Sequence, residues 1–437
     1  MRRAQDTLRQ LAALGVILLG AAAVAWLAAR GWQKAPDPVS DFYDFFWAAK
    51  AVRDGTDIST SGEAGYLYPP LLATCMVPLT HLSAPLAARA WMLSMIALGI
   101  ASAALSARGA SRTMGGIRTT FVWSCAATGF LLLADNFRAE AEWANCNNLI
   151  ILLIAGAFAC ARNRPAWCGA LLGAAAALKY TPLIFLAYFL VRRRWKEAAW
   201  MTATLTLLTL APALALGWDA NLTALANASG GIASMLGTAP LDHANPSFNP
   251  LEASFSWSIP SGMARAALHL QQSVAPWVIA GTAGSVLGLA TTTFIAYRRA
   301  GLAFWSRSPR ADDATHPLLV LAELTATLAL MVAISPQTTK RHFNYLLPMT
   351  VLLVVLVVMR KGTPRWTAAL ALAIMWFLAA PMADIDAIRP FMDHTWKDIG
   401  GPGFAVVAAA ALLLAAAASE ARKPVPQPGL QAAALPE

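Results

Sequence analysis

Residues 11–29 read LAALGVILLGAAAVAWLAA, and residues 403–418 read GFAVVAAAALLLAAAA, with no charged side chain in either run. A bilayer's hydrocarbon core, about 30 Å thick, is crossed by about 20 apolar residues of helix. Between these two runs lie ten more, near 85–107, 119–134, 148–161, 166–178, 181–191, 197–216, 275–297, 318–335, 345–359 and 366–383. In lipid every backbone polar group must find its partner locally, so such runs become helices. The expectation is an all-α polytopic membrane protein, a bundle of about twelve transmembrane helices spanning 1–422. A Pro-, Ala- and Gln-rich tail, 423–437, is expected to be a disordered cytoplasmic segment.

The composition agrees. Of 437 residues, 58% are apolar and 13% are charged, against about 25% charged in soluble domains. That excludes a soluble enzyme and a disordered chain. The net charge of +10 would suggest nucleic acid in a soluble protein, but in a membrane protein it reports topology. Counted by loop with both termini inside, the inner segments carry +15, the outer segments −4, and Glu323 inside a membrane run carries −1. No nucleic-acid partner is needed. The five cysteines, Cys75, Cys125, Cys146, Cys160 and Cys168, show no CxxC or metal-ligand spacing. P-loop, GxGxxG, HExxH and GxSxG motifs are absent, and Asp384-Ile385-Asp386 is only a weak metal signal.

The outer loops, 30–84, 217–274 and 384–402, are the long ones, so the chemistry is expected there. Ser40-Asp41-Phe42-Tyr43-Asp44 opens a stretch with interfacial aromatics. Ser40 suits an N-cap, and Asp41 and Asp44 fall on one face of the helix it starts. A carboxylate at a helix N-terminus is favoured ionised, as a general base requires. An anchored amphipathic helix with solvated acids fits the same spacing. Gly65-Tyr66-Leu67-Tyr68-Pro69-Pro70 closes the loop, either as an aromatic belt with a chain break or as a cavity wall for a sugar or lipid head.

Four further clusters stand at helix mouths. Asp135, Asn136, Arg138, Glu140, Glu142, Asn145, Asn147 and Asn148 crowd the mouth between two crossings, where amides bind sugar hydroxyls or cap the next helix. Leu178-Lys179-Tyr180-Thr181-Pro182 puts a lysine where two short runs meet and proline forces a break. A lysine there suits a phosphate oxyanion or snorkels to the interface. Ser335-Pro336-Gln337-Thr338-Thr339-Lys340-Arg341-His342 gathers three cations on the side where cations are scarce; a bound anion or lipid head groups account for them. Asn245-Pro246-Ser247-Phe248 is polar but carries little signal.

In order along the chain, Asp-Phe-Tyr-x-Phe, Tyr-x-Tyr-Pro-Pro, an Asn-rich mouth, Ala-Leu-Lys-Tyr-Thr-Pro before Arg-Arg-Arg-Trp, and a late Ser-Pro-x(5)-His resemble glycosyltransferase family 87 over roughly residues 40–350. These are GT-C class integral-membrane enzymes that use polyprenyl-phosphate sugars. The resemblance implies a GT-C-like bundle with interfacial helices in the first outer loop, and transfer of mannose or another hexose to a lipid or glycan acceptor. It implies Asp41 as catalytic base and Lys179, Lys340, Arg341 and His342 on the donor phosphate. It places Asp44, Tyr66, Tyr68, Arg138, Asn145, Asn147 and Asn148 around the substrates. No cofactor and no metal are expected. The setting would be the plasma (inner) membrane, with the site on the periplasmic or extracellular side. One departure stands out: where the family often has Gly-Gln-x-Asn, this chain has Ala144-Asn145-Cys146-Asn147. The competing class is a polytopic transporter or lipid flippase, which predicts an internal repeat; a non-catalytic lipid-binding scaffold is a third.

Overall fold

A computed structural model describes residues 2–62, 65–115, 119–235, 250–302, 317–379 and 389–421. The tail 423–437, Asp384 to Asp386, and Asn245 to Phe248 lie outside the described residues. Among the described residues all regular structure is helical.

The chain runs through α1 (Arg2–Lys34), then α2 (Asp41–Asp54) and α3 (Pro70–Met76), and enters the long α4 (Ala84–Thr113). It continues as α5 (Thr119–Leu132), α6 (Ala134–Trp143), α7 (Asn147–Cys160), α8 (Pro165–Leu178) and α9 (Ile184–Val191). Next come α10 (Trp195–Leu210), α11 (Ala213–Leu216), α12 (Trp218–Met235), α13 (Ile259–His269) and α14 (Val274–Ala300). The last are α15 (Pro317–Ile334), α16 (Leu347–Met359), α17 (Thr363–Ile374), α18 (Arg389–Phe391) and α19 (Gly401–Ala421). Among the described residues, each of the twelve apolar runs is largely helical. Among the described residues, seven helices are long and apolar enough to cross a membrane alone, and four apolar ones are shorter, at Thr119–Leu132, Asn147–Cys160, Pro165–Leu178 and Thr181–Val191. The protein is an all-α polytopic membrane protein.

Packing follows the composition of each face. α15 and α16 are mostly buried and form the centre, while α1, α10 and α14 expose most of their apolar surface, as lipid-facing helices do. In lipid no hydrophobic force pulls helices together, so close approach through small residues does that work. Gly169 and Gly173 of α8, four residues apart, show it. A Cβ on either would collide with the α10 backbone, at Glu197 and Met201 respectively. α19 is rich in alanine and packs on α14, α15 and α17.

The first two long loops of the sequence carry helices among their described residues. The first carries α2 and α3, with Gly55 closing α2 at φ 69°, a left-handed turn that glycine takes without penalty. The second carries α12 and α13.

The membrane acid Glu323 has partners that the sequence alone does not name. Arg192 donates to both of its oxygens, and the hydroxyls of Tyr188 and Tyr297 donate to it as well. Arg192 thus leaves the basic 192–196 stretch and folds back into the bundle. A paired, hydrogen-bonded carboxylate is the form in which an acid persists in a membrane.

Candidate active site

α8 ends at Leu178, and Lys179 stands extended at φ −154°, ψ 126° before a short 3-10 turn that begins at Thr181-Pro182. Proline disfavours helix for the residue before it and removes one N–H, so the crossing breaks here. The break turns the Lys179 side chain inward. Its Nζ donates to Asn147 Oδ1 at 3.2 Å, stands 3.0 Å from His342 Nε2, and lies over the Tyr68 ring at 5.3 Å. Burial pushes the Lys179 ammonium below its ordinary pKa.

His342 is oriented by its own turn. Lys340–Leu346 is a 3-10 helix capped by Thr339, and the Thr339 backbone N–H donates to His342 Nδ1 at 2.9 Å. A backbone N–H can only donate, so Nδ1 carries no proton and the neutral ring holds its hydrogen on Nε2. Nε2–H therefore meets the Lys179 amine head-on. While that amine is charged, two donors face each other across 3.0 Å, an arrangement that an oxyanion seated against both would satisfy.

The same turn splits the three cations of the sequence. Successive residues of a 3-10 helix point about a third of a turn apart. Lys340 pairs with Asp135, His342 faces Lys179, and Arg341 reaches Asp41. The Arg341 fork meets the Asp41 carboxylate squarely: Nη1 to Oδ1 is 2.9 Å and Nη2 to Oδ2 is 2.9 Å. Asn145 Nδ2 also donates to Asp41 Oδ2. Asp41 is the first residue of α2 after Ser40, as its spacing suggests, but Ser40 makes no side-chain cap and instead donates to Ala35 O. Asp44, one turn on, is pushed up to about 7, by burial first and then by the charge of Asp41, with Arg341 opposing.

Below these groups sits a fully buried acid. Glu140 takes the Asn147 backbone N–H on one oxygen and Asn147 Nδ2 on the other, both at 2.9 Å. Asn147 Oδ1 then accepts from Lys179 and from the Tyr345 hydroxyl at 2.8 Å. Burial pushes Glu140 up to about 7, against the pull of Asn147, Arg341 and Lys179.

Lys179, Arg341, His342 and Tyr68 form one end of a cavity of about 810 Å³. Its remaining walls are largely apolar, including Leu67, Leu183, Leu225, Phe255 and Pro336. A second cavity of about 460 Å³ runs between α9, α14 and α15 from Ile184 and Ile334 to Arg192 and Glu323. Ile184 and Ile334 adjoin Leu183 and Ser335 of the first cavity, so the two lie along the same pair of helices.

The candidates from the sequence divide clearly. Asp41, Lys179, Arg341, His342, Asn145, Asn147 and Tyr68 form one connected group, with Asp44 beside it. Tyr66 is turned away: its hydroxyl donates to Pro69 O at 3.1 Å and accepts from Ala73 N at 3.2 Å, pinning the Pro-Pro bend. Asn148 donates to Met95 O at 3.0 Å and ties α7 to α4. Arg138 bridges Asp135 at 2.8 Å and Glu142 at 3.0 Å, so with Lys340 it belongs to an ion-pair chain on the rim. Glu140 stands in the sequence only as one of the polar residues crowding the mouth, and Tyr345 only at the end of the late basic stretch, neither with a role. The two donors of Asn147, its backbone N–H and Nδ2, find Glu140, and its Oδ1 finds the Tyr345 hydroxyl.

The departure at Ala144 also has a local cause. Ala144 closes α6 in the left-handed conformation, φ 47°, ψ 44°, where glycine is the usual residue. Asn145, in place of glutamine, is the residue that holds Asp41.

The helical membrane bundle thus brings carboxylates and cations together at one mouth. The family model for glycosyltransferase family 87 matches residues 66–336, more than half of the chain, and the chain belongs to that family. It is a membrane glycosyltransferase. It is also 25% identical, over 405 residues covering 89% of this chain and 85% of the relative, to the polyprenol-phosphate-mannose-dependent alpha-(1-2)-phosphatidylinositol mannoside mannosyltransferase of Mycolicibacterium smegmatis. No solved structure matches the chain.

Proposed function

We propose that this protein transfers a sugar, mannose or another hexose, from a polyprenyl-phosphate donor to a lipid or glycan acceptor at the outer face of the plasma (inner) membrane, with inversion. The observation that carries the reading is the pairing of a cationic end, Lys179, Arg341 and His342, with long apolar walls in one cavity. A sugar phosphate on an isoprenoid tail has that same division of chemistry. The phosphate would sit against Lys179 and His342 Nε2, supplying the acceptor oxygen that these two donors lack. The tail would follow the apolar wall past Leu183 and Ile184 into the second cavity. The relative's polyprenol-phosphate-mannose dependence supports the donor class, and the charge asymmetry of the loops supports an outer site with both termini inside.

The step itself is a direct displacement. The acceptor hydroxyl oxygen attacks the anomeric carbon and the carbon–oxygen bond to phosphate breaks. The acceptor proton passes to Asp41, and the bond electrons stay on the phosphate. One base and one displacement invert the anomeric centre. Lys179, His342 and Arg341 stabilise the charge that builds on the leaving phosphate. At rest both Asp41 oxygens are held by Arg341. A phosphate that draws the guanidinium toward the cavity frees a carboxylate oxygen for the acceptor, which makes the donor bind first.

The test is transfer of radiolabelled sugar from defined polyprenyl-phosphate donors by purified protein in detergent. Incorporation into an extractable lipid or glycan is expected. Complete absence of transfer from every hexose donor, with protein that is folded by calorimetry, would overturn the reading.

A further inference from the structure

We infer that Glu140 is a positioning residue for the donor phosphate, acting through the Asn147 amide on Lys179; the inference rests on the transferase reading above. Glu140 touches neither cavity. It is fully buried between α6 and the start of α7, and both of its oxygens are spent on one neighbour, Asn147. A buried carboxylate is expensive to keep, so a protein retains one where its two acceptors do something an amide cannot.

Here the task is to fix which way an amide points. Asn147 can present either Oδ1 or Nδ2 toward Lys179. With Nδ2 and the backbone N–H both donating into Glu140, Oδ1 is forced to the opposite side. There it accepts from Lys179 at 3.2 Å and from Tyr345 at 2.8 Å. Turned over, the amide would offer Nδ2 to an ammonium and a hydroxyl, and Lys179 would lose the carbonyl oxygen that accepts from it. The ammonium is thereby held 3.0 Å from His342 Nε2, the spacing at which one phosphate reaches both. The charged groups acting on Glu140 itself are Arg341, Lys179 and Asp41.

The Glu140→Gln variant tests this. A glutamine keeps the shape but offers one acceptor and a new donor, so one Asn147 hydrogen is left facing a hydrogen. The expected result is a donor KM raised on the order of tenfold, about 1.4 kcal/mol. Acceptor KM should change by less than about twofold, while kcat should fall together with donor binding, because the same Lys179 faces the charge that builds on the leaving phosphate. Affinity for polyprenyl phosphate carrying no sugar should fall in parallel. Combining Glu140→Gln with Asn147→Asp puts a carboxylate at position 147, which accepts from Lys179, Tyr345 and the new amide whichever way it turns. Recovery of donor KM in that double variant is the readout a purely structural role would not give. An unchanged donor KM in Glu140→Gln, or equal rises in donor and acceptor KM with no recovery in the double variant, overturns the inference while wild-type transfer stands. Wild-type protein that neither binds polyprenyl phosphate nor transfers from it overturns the reading beneath.

Discussion

Arg341 and Asp41 meet as a fork on a fork, two parallel hydrogen bonds of 2.9 Å between residues 300 positions apart in the chain. The pair joins α2 to the turn before α16. It also brings a cation that lines the cavity into direct contact with the proposed base, so each controls the other's availability.

Geometry more than charge gives that pair its value. Arg341→Lys keeps the charge but removes the planar fork. The expected effect is a fall in kcat/KM of roughly 10²-fold, with folding retained, since one oriented donor at a developing oxyanion contributes about that much. Steady-state kinetics against donor and acceptor checks it.

The cap of α6 gives a stability test that spares the chemistry. Ala144 pays for a left-handed backbone, a conformation that costs an L-residue roughly 1–2 kcal/mol. Ala144→Gly is expected to raise the detergent melting temperature by on the order of 2 °C without altering donor KM.

The α8–α10 contact gives the opposite test. Gly169→Val places two methyl groups where the Glu197 carbonyl already sits. Loss of that approach shifts the end of α8 that presents Lys179. The variant is expected to lose about 3 kcal/mol or more and to express poorly, as read by size-exclusion profile and thermal melt.

Two acids set a pH dependence. Glu140 and Asp44 are each pushed up to about 7 by burial, above their ordinary values near 4.5 and 3.8. A carboxyl whose folded pKa is raised binds more protons folded than unfolded. The stability it contributes is complete below its ordinary pKa and declines as pH rises through the folded value. Melting temperature should therefore fall between about pH 4 and 7. Glu140→Gln and Asp44→Asn should each flatten that fall.

The membrane made much of the fold legible in the sequence. Residues 11–29 and 403–418 can only be helices in lipid, and Pro182 forces the break that turns Lys179 inward. Adjacent residues with different fates were not legible. Lys340, Arg341 and His342 look like one cluster in sequence, but a 3-10 turn aims them at three partners. Tyr66 and Tyr68 look equivalent, yet Tyr66 pins a bend and Tyr68 lines the cavity. The Glu140–Asn147–Lys179 chain and the Glu323–Arg192 pair depend on which helices become neighbours, and that is decided by packing far from either residue.

The most direct measurement is single-turnover transfer from a radiolabelled polyprenyl-phosphate hexose by wild-type and Asp41→Asn protein, with donor binding measured on the same samples. The expected result is donor affinity within about threefold of wild type and a transfer rate lower by about 10³-fold or more, the loss of a general base. Transfer by Asp41→Asn at a rate near wild type would contradict Asp41 as the base.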